Sequence, residues 1–186
     1  ITFAGDGGDE TFSGYPRHLN WLKCLFLLQQ NVDELNLLIQ KKFSLNNFDI
    51  NRFNKEDKIF IVLYYIFTYG TLNKYYSFNE VQELSFLEKI EYFKKSIINF
   101  EIFPDALDIV LYCERFLQLS NDFMLRGDKI GMSFSMEARF PILSNDIQKY
   151  CAHISFNEKI VSGKLKQLIR NSYKNILPTY VLNKKK

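Results

Sequence analysis

Apolar residues recur every three or four positions through most of this chain, a period that predicts a largely helical protein. Between residues 19 and 103 the pattern is helical almost throughout. Leu19, Leu22 and Phe26 mark a first core face, and Val32, Leu35, Leu38 and Ile39 a second. Ile59, Leu63 and Ile66 mark a third, and Val81, Leu84, Leu87, Ile90 and Phe93 a fourth. A loop over residues 44–54 separates the second helix from the third, and Gly70 with Asn73 ends or kinks the third. The longest apolar run, residues 59–67, falls well short of the roughly 20 residues a bilayer crossing needs and reads as a buried core helix. Among tyrosines 64, 65, 69, 75 and 76 only Lys74 is basic, so core packing is favoured over a base-stacking surface.

Three stretches depart from this plain periodicity. The first is residues 1–17, ITFAGDGGDETFSGYPR. Residues 1–3 read as the end of a buried strand, the glycines from Gly5 onward as a sharp turn, and Asp9 onward as a helix. That helix carries Phe12, Tyr15, Leu19, Leu22 and Phe26, with carboxylates near its positive end. Strand, glycine turn and helix together form an anion-binding geometry. A dinucleotide fingerprint starting at Gly5 fails at Glu10, a P-loop lacks its Gly-Lys-Ser/Thr ending, and Gly7 and Gly8 break an EF-hand loop. Carboxylates beside a phosphate repel it unless a divalent cation lies between, so a phosphate site here implies Mg²⁺. A solvated acidic loop is the plainer alternative.

The second stretch is residues 119–146. An amphipathic segment over residues 107–125 leads to Gly127, where the pattern breaks into Asp128, Lys129, small residues, and Glu137 and Arg139 ahead of Pro141. Charges two apart beside a proline belong to an ordered loop or a short extended piece. Asp128, Glu137 and Arg139 can form an ion-pair cluster, with a ligand-ordering and a purely structural role equally weighted. In the third stretch, residues 163–186, Leu165, Leu168, Ile169, Ile176 and Leu177 form an apolar helical stripe. Lys166 and Arg170 share another face of that helix, which Pro178 ends. Two cations there can clamp phosphate, although spacing alone favours a solvated basic face.

Composition narrows the classes. With 186 residues and 47% hydrophobic content the chain can bury one sizeable core, which argues against disorder. A net charge of +3 gives no case for nucleic-acid binding. Cys24, Cys113 and Cys151 lie far apart and are odd in number, which fits a reducing, cytoplasmic setting. No signal-peptide pattern or membrane span is present. Both ends look cut, so the chain reads as an interior piece of a longer protein.

Residues 5–17, GDGGDETFSGYPR, resemble the second nucleotide-site motif of the asparagine synthetase family, S-G-(E/D)-G-x-D-E-(L/V)-F-G-G-Y. Asp128, Lys129, Gly131, Met132, Glu137, Arg139, Pro141, Ile142 and Leu143 follow that family's D-(R/K)-x-(S/G)-M-x-x-x-x-E-x-R-x-P-(F/I)-L-D pattern, with Ser144 at its closing aspartate. Lys166, Arg170, Leu177, Pro178, Lys184 and Lys186 match its K-x-x-(L/I)-R, L-P and basic elements, with Lys184 in place of arginine. The three motifs stand in the family's order along the whole chain.

The resemblance implies an α/β fold of the ATP pyrophosphatase, adenine nucleotide alpha hydrolase type, with a five-stranded parallel sheet. This chain, residues 1–186, would be the later, mostly helical part of that synthetase domain, carrying one short N-terminal strand. The glutamine-hydrolysing domain and the SGGxDS pyrophosphate loop are missing from it. The implied reaction is asparagine synthesis: Mg-ATP adenylates aspartate, pyrophosphate leaves, and glutamine-derived ammonia attacks the acyl-adenylate. By resemblance, Ala4, Gly5, Asp6 and Gly7 contact the nucleotide, and Ala4 replaces the usual serine. Asp6, one methylene shorter than the common glutamate, stands near the acyl-adenylate. Asp9 serves Mg²⁺ and pyrophosphate, Lys166 neutralises charge on phosphate in the transition state, and Glu137, Arg139 and Arg170 order the substrate site. The partners implied are small molecules, aspartate, ATP and ammonia, with a homodimer allowed for the full-length protein. An amide-forming ligase on another carboxylate, and an inactive remnant, stay open as alternatives.

Overall fold

A computed structural model describes residues 1–67, 81–98 and 108–184. The chain divides into two compact units, one of Ile1–His18 with Pro104–Lys186 and one of Leu19–Phe103. The described residues are mostly helical with one small parallel sheet.

In the first unit, β1 (Thr2–Phe3) is followed by α1 (Gly8–Phe12) and by the opening turn of α2 (Pro16–Gln30), with the unit boundary after His18. The helix expected to run unbroken from Asp9 past Phe26 is therefore two helices. Ser13 adopts a left-handed conformation, φ 59°, and Pro16 then starts α2 afresh. Apolar periodicity runs across the break and hides it; Gly14 and the residue before a proline, which is pushed out of helical geometry, are the local cause.

The second unit holds the rest of α2, then α3 (Val32–Phe43), a 3₁₀ turn at Ile50–Arg52, α4 (Lys55–Phe67) and α5 (Val81–Ile98). Asn31 caps α3 by accepting from the Glu34 N–H, and Asp33 and Glu34 at its start and Lys41 and Lys42 at its end complement the helix dipole. Phe60, Ile61, Val62, Leu63 and Ile66 of α4 are buried, so the 59–67 run is a core helix as its pattern predicts. Phe86 packs against Phe43, Phe48 and Tyr64, while Tyr64 stacks on Phe43 and Tyr65 meets it edge-on. These two tyrosines are core material; Tyr69, Tyr75 and Tyr76, with Gly70 and Asn73, lie outside the described residues.

Returning to the first unit, α6 (Ile109–Cys113) runs into a π-helix over Glu114–Met124 and then α7 (Leu125–Ser133). The break expected at Gly127 is absent: helix continues through Gly127 and Asp128 to Ser133, because one glycine costs a helix only about 1 kcal/mol. The chain then extends as β2 (Ala138–Arg139), a second strand where only one was expected. It pairs parallel with β1, Thr2 opposite Ala138 and Phe3 opposite Arg139, and Pro141 stops it by opening a 3₁₀ turn, Pro141–Leu143. Next come α8 (Asn145–Ala152), α9 (Phe156–Lys159) with a Ser155–Glu158 capping box, α10 (Gln167–Ser172) and α11 (Thr179–Leu182). The single stripe-bearing helix expected from Leu165 to Pro178 is shorter than its pattern. Lys166 is left-handed, φ 55°, and sits before α10, which ends at Ser172. Among the described residues no helix is long and apolar enough to cross a membrane.

Candidate functional site

The five residues of α1 are too few for backbone hydrogen bonds alone to hold them, and a left-handed residue stands at each end, Gly7 (φ 85°) and Ser13. Side-chain ties fix the helix instead. A Cβ on Gly7 would lie 2.2 Å from Leu143 Cδ2, so glycine is required there for both conformation and space. Gln148 of α8 donates to Thr11 Oγ1 at 2.9 Å and to the Ile142 carbonyl at 2.8 Å, joining α1 to the Pro141–Leu143 turn. On the opposite flank, Lys166 Nζ lies 2.6 Å from Asp9 Oδ1, and the Lys166 N–H donates to the Ser13 carbonyl at 3.3 Å. An ion pair thus closes across more than 150 positions of sequence, with both side chains part-buried.

Gly14 lies directly beneath that pair. A Cβ placed on it would fall 1.7 Å from Asp9 Oδ1 and 2.2 Å from Lys166 Cε. Ser13 is fully buried and its hydroxyl has no hydrogen-bond partner among the described residues. In the motif that this loop resembles, glycine occupies Ser13's place.

Behind α1 lies a second polar network that the residue pattern did not reveal. Glu10, 2% exposed, accepts from the Tyr15 hydroxyl at 2.7 Å. Burial, followed by the hydrogen bond to Glu10, pushes the Tyr15 phenol well above its ordinary value. The Arg17 guanidinium covers the Tyr15 ring at 4.1 Å from the centroid. Arg17 also donates to Glu114 and to Gln118 of the π-helix, and His18 Nε2 lies 3.2 Å from the other Glu114 oxygen. Glu114 and His18 are both fully buried. Glu114 stands in a segment otherwise read by its apolar period, and a charge among those core positions was the available signal.

The remaining sequence-derived candidates are more dispersed. Ala4 N–H donates to the Arg139 carbonyl at 2.9 Å, which joins the start of the glycine turn to β2 through the backbone. Gly5 and Asp6 are exposed on the turn itself. Arg139 pairs with Glu137 at 2.9 Å as an exposed ion pair; Asp128, in α7, makes no ion pair with Arg139, so among the described residues the expected three-residue cluster is a pair. Arg170 does not share a helix face with Lys166, which precedes α10; its guanidinium donates to the Lys184 carbonyl at 3.0 Å. Ser144 caps α8 by position.

Among the described residues no group of three or more His, Cys, Asp or Glu side chains is placed to hold a metal. Asp9, with Asp6 on the adjoining turn, offers a carboxylate at the loop, which suits Mg²⁺ because that ion keeps most of its shell as water and phosphate oxygens and takes one or two carboxylates from protein.

The chain has a likeness to known proteins. It is similar to asparagine synthetase [glutamine-hydrolyzing] 1 of Bacillus subtilis (strain 168), at 34% identity over 68 residues. That match covers 37% of this chain and 11% of the relative's length. No solved structure matches it. The model of the asparagine synthase family matches residues 1–186, the whole of the sequence, and the chain therefore belongs to the asparagine synthase family.

Proposed function

We propose that this chain forms the later part of an ATP-dependent synthetase domain that adenylates a carboxylate, aspartate in the first instance, and yields an amide through attack of ammonia. The observation that carries this reading is the 2.6 Å contact between Asp9 and Lys166, which sets a carboxylate and a cation from opposite ends of the sequence at one loop. A lysine whose charge is partly withdrawn from water interacts more strongly with a phosphate than one on an open surface. Lys166 then donates to phosphate oxygens as pyrophosphate departs. Asp9 would hold Mg²⁺ together with phosphate oxygens, and the ion supplies neutralisation of the triphosphate charge. Ala4, Gly5, Asp6 and Gly7 line the approach of the nucleotide, with Asp6 beside the acyl group and Arg139, Glu137 and Arg170 ordering the acceptor's side.

In this reading β1 and β2 are two strands of the larger parallel sheet of an ATP pyrophosphatase-type domain. Ammonia derived from glutamine, a cytoplasmic setting and a homodimer are parts of the same proposal. All three cysteines are buried and unbonded, in keeping with a reducing compartment. The single-methylene shortening at Asp6 supports a second acceptor class, a longer or bulkier carboxylate. Both acceptor classes are tested by assaying the intact protein for AMP formation against a panel of carboxylic acids. Aspartate-dependent AMP supports asparagine synthesis, AMP with another acid alone identifies a related ligase, and no AMP with any acid rejects adenylation.

A further inference from the structure

We propose that Glu114 is a positioning residue for the Asp9–Lys166 pair, acting through Arg17, Tyr15 and Glu10. The proposal deepens the adenylation reading and rests on it only for its kinetic consequence. The helix that carries Asp9 has five residues and a left-handed joint at each end, so its rotation is set by what grips its side chains. Asp9 is gripped by Lys166 on one flank and the adjacent Glu10 by the Tyr15 hydroxyl on the other. These neighbours point in different directions from one short helix, so turning Glu10 turns Asp9.

Tyr15 is held in turn. Its ring lies under the Arg17 guanidinium, whose planar fork is fixed by Glu114 and Gln118. Glu114 has one oxygen against Arg17 and the other 3.2 Å from His18, so one fully buried carboxylate anchors two successive residues at the opening of α2. A buried carboxylate in that position fixes geometry more than it adds stability, since its desolvation cost offsets much of its attraction to the Arg17 guanidinium. Its effect is therefore expected in the aim of Asp9 as well as in the melting temperature.

The test uses the intact protein with Glu114→Gln and, separately, Tyr15→Phe, which removes one hydroxyl and leaves the ring beneath Arg17. Hydrogen–deuterium exchange without ligand compares residues 7–14 with α7 in the same unit. The expected result is a several-fold faster exchange in residues 7–14 with α7 unchanged. In the AMP-formation assay the half-saturating Mg²⁺ concentration rises about 3- to 10-fold, a larger change than in turnover at saturating Mg²⁺. Equal change in both segments, or none in either, overturns the proposal. Should Glu114→Gln fail to fold, Tyr15→Phe decides by the same criteria. The exchange experiment needs no turnover, so selective exchange in a protein that forms no AMP upholds the positioning role and rejects adenylation alone.

Discussion

Gly14 and Ser13 sit side by side beneath the ion pair and make opposite predictions. The atoms an alanine side chain at position 14 would strike, Asp9 Oδ1, Asp9 Cγ and Lys166 Cε, belong to the paired side chains, which must shift. Gly14→Ala is therefore expected to cost about 1–3 kcal/mol of unfolding free energy in urea, yet lower AMP formation by about 100-fold, because a misplacement of about 1 Å at the proposed site has that effect. Equal loss of stability and activity would show that Gly14 serves the fold alone. Ser13 holds a left-handed conformation and buries a hydroxyl with no partner among the described residues, each costing about 1–2 kcal/mol, against roughly 0.5–1 kcal/mol of extra chain entropy for glycine. Ser13→Gly should stabilise the protein by about 1–3 kcal/mol in the same urea titration. At this scale the sequence was most legible where a motif existed: Asp9, Gly14 and Lys166 all lie within resembled patterns, and the structure brings them into contact. Glu10, Tyr15, Arg17, His18 and Glu114 form their network through distances that residue spacing does not encode.

Helices were legible as far as periodicity extends. The α4 core helix and the capped α3 follow directly from their patterns, whereas α1 and α2 merged in the reading because Phe12, Tyr15 and Leu19 keep helical spacing across Ser13. The helix past Gly127 was cut short for the reverse reason: glycine and small residues imitate a loop when neighbouring turns carry them through. β2 was legible only as an ordered loop or a short extended piece, because two residues show no alternation. Within the second unit, α3 carries a lysine whose pairing yields a pH prediction. Burial lowers Lys42 to about 8 from 10.5, its ammonium donating to the Tyr65 carbonyl and lying near the Phe43 and Tyr65 rings. Between those values the unfolded chain binds more protons than the folded one, so stability rises with pH through that window. Burial raises Cys24 to about 11 from 9, which makes stability fall as pH rises above 9. The second unit's unfolding free energy is thus expected to climb as pH rises above 8 and to level off past pH 9, where Cys24 opposes the lysine. Lys42→Met should abolish the climb; its persistence in urea melts of that variant would assign it to another group.

At the scale of the whole molecule, the first unit is assembled from both ends of the sequence and the second from the stretch between them. Trp21, the chain's single tryptophan, is fully buried in the second unit and reports on that unit's unfolding. Phe86→Ala should lower the midpoint seen by Trp21 fluorescence, since truncating a buried phenylalanine costs about 3–5 kcal/mol. Phe156→Ala, in the first unit, should leave that midpoint within error if the units unfold separately; equal shifts would reveal one cooperative transition. The helical character of the molecule was readable from period alone, but the meeting of residues 9 and 166 was not, because only motif order linked them. The most direct test of the account is carboxylate-dependent exchange of pyrophosphate into ATP by the intact protein, wild type against Lys166→Ala, with folding verified by circular dichroism. The account predicts aspartate-stimulated exchange in the wild type and its loss in the variant, while undiminished exchange without Lys166 would contradict it.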